Sequence, residues 1–157
     1  MPDADYLYAC DQKWWQVHID EVRASFRGKL YTQWRQPDEK AWAEQHGITP
    51  INGASSPGLG RELLHYGSNS GYQAINLAFL MGATRIILLG YDMQKTGGRN
   101  HWFGDHPNGL VNGIDTHLVP NFTPLAEDLK AEGVEVINCT RETALTQFRR
   151  AELADVL

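Results

Sequence analysis

From Gln12 to Phe26 the apolar residues Trp15, Ile19, Val22 and Phe26 recur at spacings of four, three and four. That period lines one face of a helix, and Gly28 is placed to stop it. Ahead of it, ADYLYAC (Ala4 to Cys10) mixes aromatic and aliphatic residues without a helical period, which predicts a short buried strand followed directly by Asp11. KLYTQW (Lys29 to Trp34) predicts a second strand, Asp38 to His46 a short helix ended by Gly47, and Ile48 to Ile51 a further short strand. NGASSPGLG (Asn52 to Gly60) has the richest loop composition in the chain and reads as an excursion, not a linker between domains. A helix is expected from Ser70 to Met81, capped by Ser70 or Asn69 and ended by Gly82 in a left-handed conformation. RIILLG (Arg85 to Gly90) is apolar without alternation, the mark of a strand covered on both faces, and Arg85 to Leu89 is expected to be a central parallel strand. A long loop follows from Tyr91 towards Asp115. Leu118 to Glu132 reads as helical despite Pro120 and Pro124, VEVIN (Val134 to Asn138) as a strand, and Thr143 to Leu153 as a short closing helix.

Strands alternating with helices in this way predict an α/β fold, a mostly parallel Rossmann-like sheet flanked by helices. Ligands of such sheets collect beyond the carboxyl ends of the strands. Asp11, the Tyr91-Asp92 pair and Asn138-Cys139 all follow predicted strands. A right-handed crossover through the Ser70 to Met81 helix would bring the start of that helix and Asp92 to one crevice.

The residues near that crevice suggest particular chemistry. Backbone N–H groups at a helix start carry the positive end of the dipole. With Gly67 and Gly71 allowing close approach, GSNSG (Gly67 to Gly71) can hold a phosphate or carboxylate; the competing reading is a capped helix after a tight turn. Gly67, Asn69, Ser70, Gly71, Asp11 and Asn138 are the candidates for holding a ligand at that crevice. Asp92 can orient a ribose hydroxyl, coordinate a metal or position a histidine, or be a solvated acid. HWFGDHP places His101, Asp105 and His106 within six positions. A histidine there is the natural general base near neutral pH, and the two histidines with the nearby acids are an alternative divalent-ion set whose spacing matches no zinc pattern. Asp92, His101 and His106 are the catalytic candidates, with Trp102 beside them as a stacking surface or a packing residue. His18, His46 and His117 are assigned no role, and no particular cofactor or metal is specified.

The 157 residues, 42% hydrophobic and 21% charged, suit one α/β domain spanning 1–157. No apolar run approaches a membrane span, and MPDADYLYACDQKWW lacks a secretion signal, so a cytoplasmic address is expected, without membrane association. Cys10 and Cys139 read as reduced thiols. A net charge of -5 argues against nucleic acid as a partner.

In chain order, Asn69-Ser70-Gly71-Tyr72, the helix to Gly82-Ala83, the strand closing in Gly90-Tyr91-Asp92, the run His101-Trp102-Phe103-Gly104-Asp105-His106 and Val134 to Phe148 resemble one superfamily. It contains the bacterial sialyltransferases and the 6-hydroxymethylpterin pyrophosphokinase-like proteins of the domain-of-unknown-function 115 group. ADYLYACD, WW, GSNSGYQA and the HW…DHP loop further resemble short proteins encoded by phages and prophages. The resemblance implies a nucleotide-binding domain of the glycosyltransferase type in the cytoplasm of a bacterial host. Ser70 and Gly71 would lie near the nucleotide, Asp92 at the cytidine monophosphate sugar site, and His101 or His106 would be the base for the acceptor hydroxyl. Relatives begin with a further strand and a glycine-serine loop, which this chain is expected to lack, and their Asn-Ser pair corresponds here to Asn138 with Thr140 and Thr143. The implied function is nucleotide or nucleotide-sugar binding, with glycosyl or nucleotidyl transfer. The alternative is a non-catalytic phage accessory or assembly protein. A sheet without its first strand leaves an edge to pair, so a homo-oligomer is expected.

Overall fold

A computed structural model describes residues 3–100, 110 and 116–157. The chain forms two compact units, 1–54 and 55–157, each with its own small parallel sheet and its own core. The fold is mixed α/β.

In the first unit, β1 (Tyr6–Tyr8), α1 (Gln12–Ser25), β2 (Lys29–Gln33), α2 (Pro37–Gln45), β3 (Thr49–Ile51) and β4 (Gly53–Ala54) follow in order. Strands β1, β2 and β3 lie side by side and parallel, with Leu7 opposite Leu30 and Thr32 opposite Pro50. The stripe read from the sequence is the buried one: Trp15, Ile19 and Val22 pack with Ala43 and Ile48, and Phe26 joins them partly buried. The Trp15 indole N–H is satisfied by the Ala9 carbonyl at 3.0 Å. Two expectations need correction here. β1 is not fully buried, because Tyr6 is half exposed and Leu7 and Tyr8 are only partly covered; tyrosine tolerates this by keeping its hydroxyl in water. Gly28 is not what stops α1, since the helix runs to Ser25 and closes at Phe26. A side chain at residue 28 would strike the carbonyl oxygens of Ala4 and Asp5, so close backbone approach explains the glycine.

The second unit contains β5 (Leu64–His65), α3 (Ser70–Leu80), β6 (Arg85–Leu88), a 3-10 turn (Thr116–Asn121), α4 (Phe122–Ala131), β7 (Glu135–Asn138), β8 (Arg149–Arg150) and a last 3-10 turn (Leu153–Asp155). β6, β7 and β8 are parallel, with Ile86 opposite Val136 and Ile137 opposite Arg149. Tyr72 and Ile75 of α3, Ile86 and Leu88 of β6, Phe122, Leu125 and Leu129 of α4, and Leu145 and Phe148 form the core. α3 ends as expected, at Gly82 with φ +89°, and α4 at Gly133 with φ +73°.

Three readings change in this unit. The middle strand of the sheet is β7, not β6, and β6 stops at Leu88, leaving Leu89 55% exposed. Pro120 lies in a separate 3-10 turn, so the regular helix begins only at Phe122. The closing helix from Thr143 to Leu153 is absent. The Thr143 hydroxyl accepts the Leu145 N–H at 2.9 Å and donates to the Tyr91 carbonyl at 2.6 Å, and Arg149 and Arg150 add a strand to the sheet. A threonine whose hydroxyl competes for neighbouring backbone groups favours such a turn over a helix. Among the described residues no helix is long and apolar enough to cross a membrane.

Candidate functional site

The carboxyl end of β6 and the first turn of α3 meet within the second unit. They are joined by the Tyr91 hydroxyl, which donates to the Gly71 carbonyl at 3.1 Å, and by the Asn69 amide, whose Nδ2 lies 3.8 Å from Met93 Sδ. GSNSG and the Tyr91-Asp92 segment, 20 residues apart in sequence, are therefore neighbours.

The local structure of GSNSG follows from its residue types. Gly67 and Ser68 are both left-handed, at φ +51° and +56°, and the Asn69 N–H reaches back to the Tyr66 carbonyl at 3.2 Å. This is a turn of the I′ kind, in which both central residues need positive φ. Gly67 meets that need without cost, whereas Ser68 carries the strain of a side chain in the left-handed region. Asn69 caps α3, its Oδ1 accepting the Tyr72 N–H at 3.1 Å, which settles the choice between Asn69 and Ser70 as cap. The buried Gln73 fastens the turn from below by donating to the Tyr66 carbonyl at 2.8 Å.

The two glycines are small for a reason internal to the protein. A β-carbon on Gly67 would fall on the ring of Tyr72. One on Gly71 would come within 2.7 Å of the Tyr91 ring and 3.0 Å of Asn69 Oδ1. Both tyrosines are anchored, Tyr72 by donating to the Gly58 carbonyl at 2.5 Å and Tyr91 by its bond to Gly71. Burial pushes the Tyr72 phenol up to about 12, with the nearby Asp128 charge acting in the same direction, and burial raises that of Tyr91 as well. Both rings stay neutral throughout the physiological range.

The segment after β6 is held by the loop after β7. The Tyr91 N–H donates to the Thr140 hydroxyl at 2.9 Å, the Tyr91 carbonyl accepts from Thr143, and the Asp92 carbonyl accepts the Ala144 N–H at 2.8 Å. Asn138, fully buried, organises that loop: its Oδ1 accepts the Thr140 N–H at 3.0 Å and its Nδ2 donates to the Leu145 carbonyl at 3.2 Å. Its amide is committed to the chain on both sides. The Asp92 carboxylate is partly exposed and accepts the Thr96 hydroxyl at 3.1 Å, next to a tight turn in which Thr96 and Arg99 pair across Gly97 and Gly98.

Of the remaining candidates, Asp11 belongs to the first unit, at the N-cap position of α1. It is exposed and its side chain makes no capping bond. His101 and His106, with Trp102 and Asp105, lie outside the described residues. Among the described residues no group of three or more His, Cys, Asp and Glu side chains gathers in a way that could hold a metal ion, and Cys10 and Cys139 form no disulfide.

The roles of Tyr91 and Asn76 were not read from the sequence. Asn76 is fully buried in α3. It accepts the Gly60 and His65 N–H groups at 3.0 and 2.9 Å and returns a bond to the Gly60 carbonyl at 2.8 Å, stapling the preceding loop to the helix. Its signal was available: Gln73 and Asn76 are two amides three apart in an otherwise apolar helix, and buried amides persist only when satisfied. Searches against protein-family models, curated proteins and solved structures find no match to this chain.

Proposed function

We propose that this chain is a nucleotide or nucleotide-sugar binding α/β domain of Rossmann-like type, acting as a glycosyltransferase or nucleotidyl transferase. The observation that carries the reading is the meeting of the α3 start with the Tyr91–Met93 segment at the carboxyl end of β6, joined by the Tyr91–Gly71 bond. In parallel α/β sheets that end of the strands is where ligands bind. Asp92, with a partly exposed carboxylate on a backbone fixed by Ala144, is suited to orient a ligand hydroxyl or a base. In the transfer reaction a histidine, His101 or His106, takes the acceptor proton as the acceptor oxygen displaces the leaving phosphate.

The decisive measurement is a thermal-shift screen across nucleotides and nucleotide sugars. A ligand that binds only the folded chain adds about 2.7 kcal/mol at 100 times its dissociation constant. For a ligand found this way, Asp92→Asn should remove turnover and leave the melting temperature nearly unchanged. A screen in which no nucleotide moves the transition overturns the reading.

A second reading, a non-catalytic accessory protein that keeps the scaffold, is favoured by different observations. The rings of Tyr72 and Tyr91 occupy the space beside Gly67 and Gly71, and the Asn138 amide is spent internally. It predicts no turnover with any donor and no loss of partner binding in Asp92→Asn, measured by co-purification with the partner.

A further inference from the structure

On the other flank of the Gly67–Ser68 turn lies a depression of about 280 Å³, wholly within the second unit. Its polar lining is Ser55, Ser56, Ser68 and Asn121; its apolar lining is chiefly Pro57, Pro120 and Pro124. Among the described residues that line it, none carries a charged side chain. We propose that this depression binds a neutral sugar ring, its hydroxyls paired with Ser55, Ser56, Ser68 and Asn121 and its C–H face laid on the prolines.

Three observations support it. First, the walls are held in place before any ligand arrives. The Ser55–Pro57 wall continues into Gly58 and Leu59, where the Gly58 carbonyl accepts from Tyr72 at 2.5 Å and the Leu59 N–H donates to Asp128 at 2.8 Å. The turn is tied to α4, with Asn121 Nδ2 donating to the Gly67 carbonyl at 3.1 Å. Fixed walls spare a ligand the cost of ordering them. Second, the polar residues that line the space keep hydrogen-bonding groups not spent on holding it. Among the described residues, no hydrogen bond engages the hydroxyls of Ser55, Ser56 or Ser68, and Asn121 holds the turn through Nδ2, leaving Oδ1 to accept. Third, Ser68 keeps a side chain at φ +56° next to a glycine that would serve the turn equally well. A strained residue in the lining of a cavity is an outlier of the kind found where a ligand is held.

The chemistry selects the ligand class. Hydroxyls and one amide oxygen offer donors and acceptors but no charge, which suits neutral polyols and leaves a phosphate or carboxylate uncompensated. The volume lies near the small end of the roughly 300–1,000 Å³ typical of ligand pockets, so it suits one ring in place of a whole nucleotide. The proposal does not depend on nucleotide binding.

The test is a titration of the full chain with methyl glucoside, methyl galactoside and N-acetylglucosamine, followed by amide NMR shifts. At least one should give saturable shifts at Ser56, Gly67 and Ser68 and in the Asn121 side-chain amide. Ser68→Gly should weaken that binding about fivefold, the equivalent of roughly 1 kcal/mol for one hydrogen bond. The same variant should melt no lower than the parent, because glycine relieves the strain at that φ. The proposal is overturned if no neutral sugar shifts these signals at millimolar concentration, if inorganic phosphate or a nucleoside monophosphate shifts them and the sugars do not, or if Ser68→Gly binds as well as the parent. Failure of the nucleotide screen alongside saturable sugar shifts would remove the nucleotide reading and leave this one standing.

Discussion

Helices α1 and α3 both begin with a short polar residue at the N-cap position, and their starts differ in almost every other respect. At α3, Asn69 closes the first turn with its side chain, the space beside Gly67 is taken by the ring of Tyr72 in the helix itself and that beside Gly71 by the ring of Tyr91, and Gln73 locks the preceding turn. At α1, the Asp11 side chain makes no capping bond, and only its carbonyl takes part, accepting the Trp15 N–H at 3.3 Å. Small residues ahead of a helix are thus no measure of room for a ligand. At α3 they are the counterpart of two large rings.

The comparison breaks most readily at Gly67. Replacing it with alanine adds the strain of a positive φ to a clash with the Tyr72 ring, and should cost about 2–4 kcal/mol in chemical denaturation. A loss below about 1 kcal/mol would mean that the ring gives way and that the space beside Gly67 is available after all.

Next comes the alkaline limb. Tyr72 ionises near its ordinary value when unfolded and at about 12 when folded, so the native chain holds a proton that the unfolded chain has lost. Stability should be at its full value below about pH 10 and fall as the pH rises towards about 12. Tyr72→Phe should lessen that fall in denaturant titrations at alkaline pH, and the part that remains belongs to Tyr91, whose phenol burial also raises.

The capping contrast gives the smaller effects. Asn69→Ala should destabilise by about 1 kcal/mol, the usual value of a side-chain cap. Asp11→Ala should fall within about 0.5 kcal/mol of the parent, as substitutions of exposed, unbonded residues do. Equal losses at the two positions, measured by the same denaturant titration, would erase the distinction between the two starts.

Which of these features the sequence revealed depends on how far apart in the chain their causes lie. The buried stripe of α1, a cap at Asn69 or Ser70 and the glycines ending α2 and α3 were legible because each is decided within one or two turns of backbone, although only the structure chose Asn69. The closing helix was misread because its competitor is remote: Thr143 donates to the carbonyl of Tyr91, 52 residues away. Apolar content in RIILLG indicated a strand but not its place in the sheet, since β7 takes the middle through its pairing with Arg149 and Arg150, two exposed charged residues with no strand-like pattern. In the candidate site, the nearness of GSNSG to the Tyr91–Met93 segment was expected from a strand-helix-strand crossover in one sheet; the segments do meet, but β5, the strand before α3, is not part of the β6–β7–β8 sheet. What fills the space beside each glycine was not legible, because a tyrosine's ring direction is not written in its spacing.

The pairing of Gly71 with Tyr91 also constrains how this sequence can change over time. A methyl group at 71 meets the ring at 91, and a smaller residue at 91 leaves a gap over 71 and strips the Gly71 carbonyl of its donor. Either change alone is penalised, and the two together relieve the clash and fill the gap, with only the Tyr91–Gly71 hydrogen bond given up. Lineages of this protein should therefore carry the pair as a unit, with alanine or serine at 71 found beside a shortened residue at 91, and the order of the two mutations deciding which intermediate must survive.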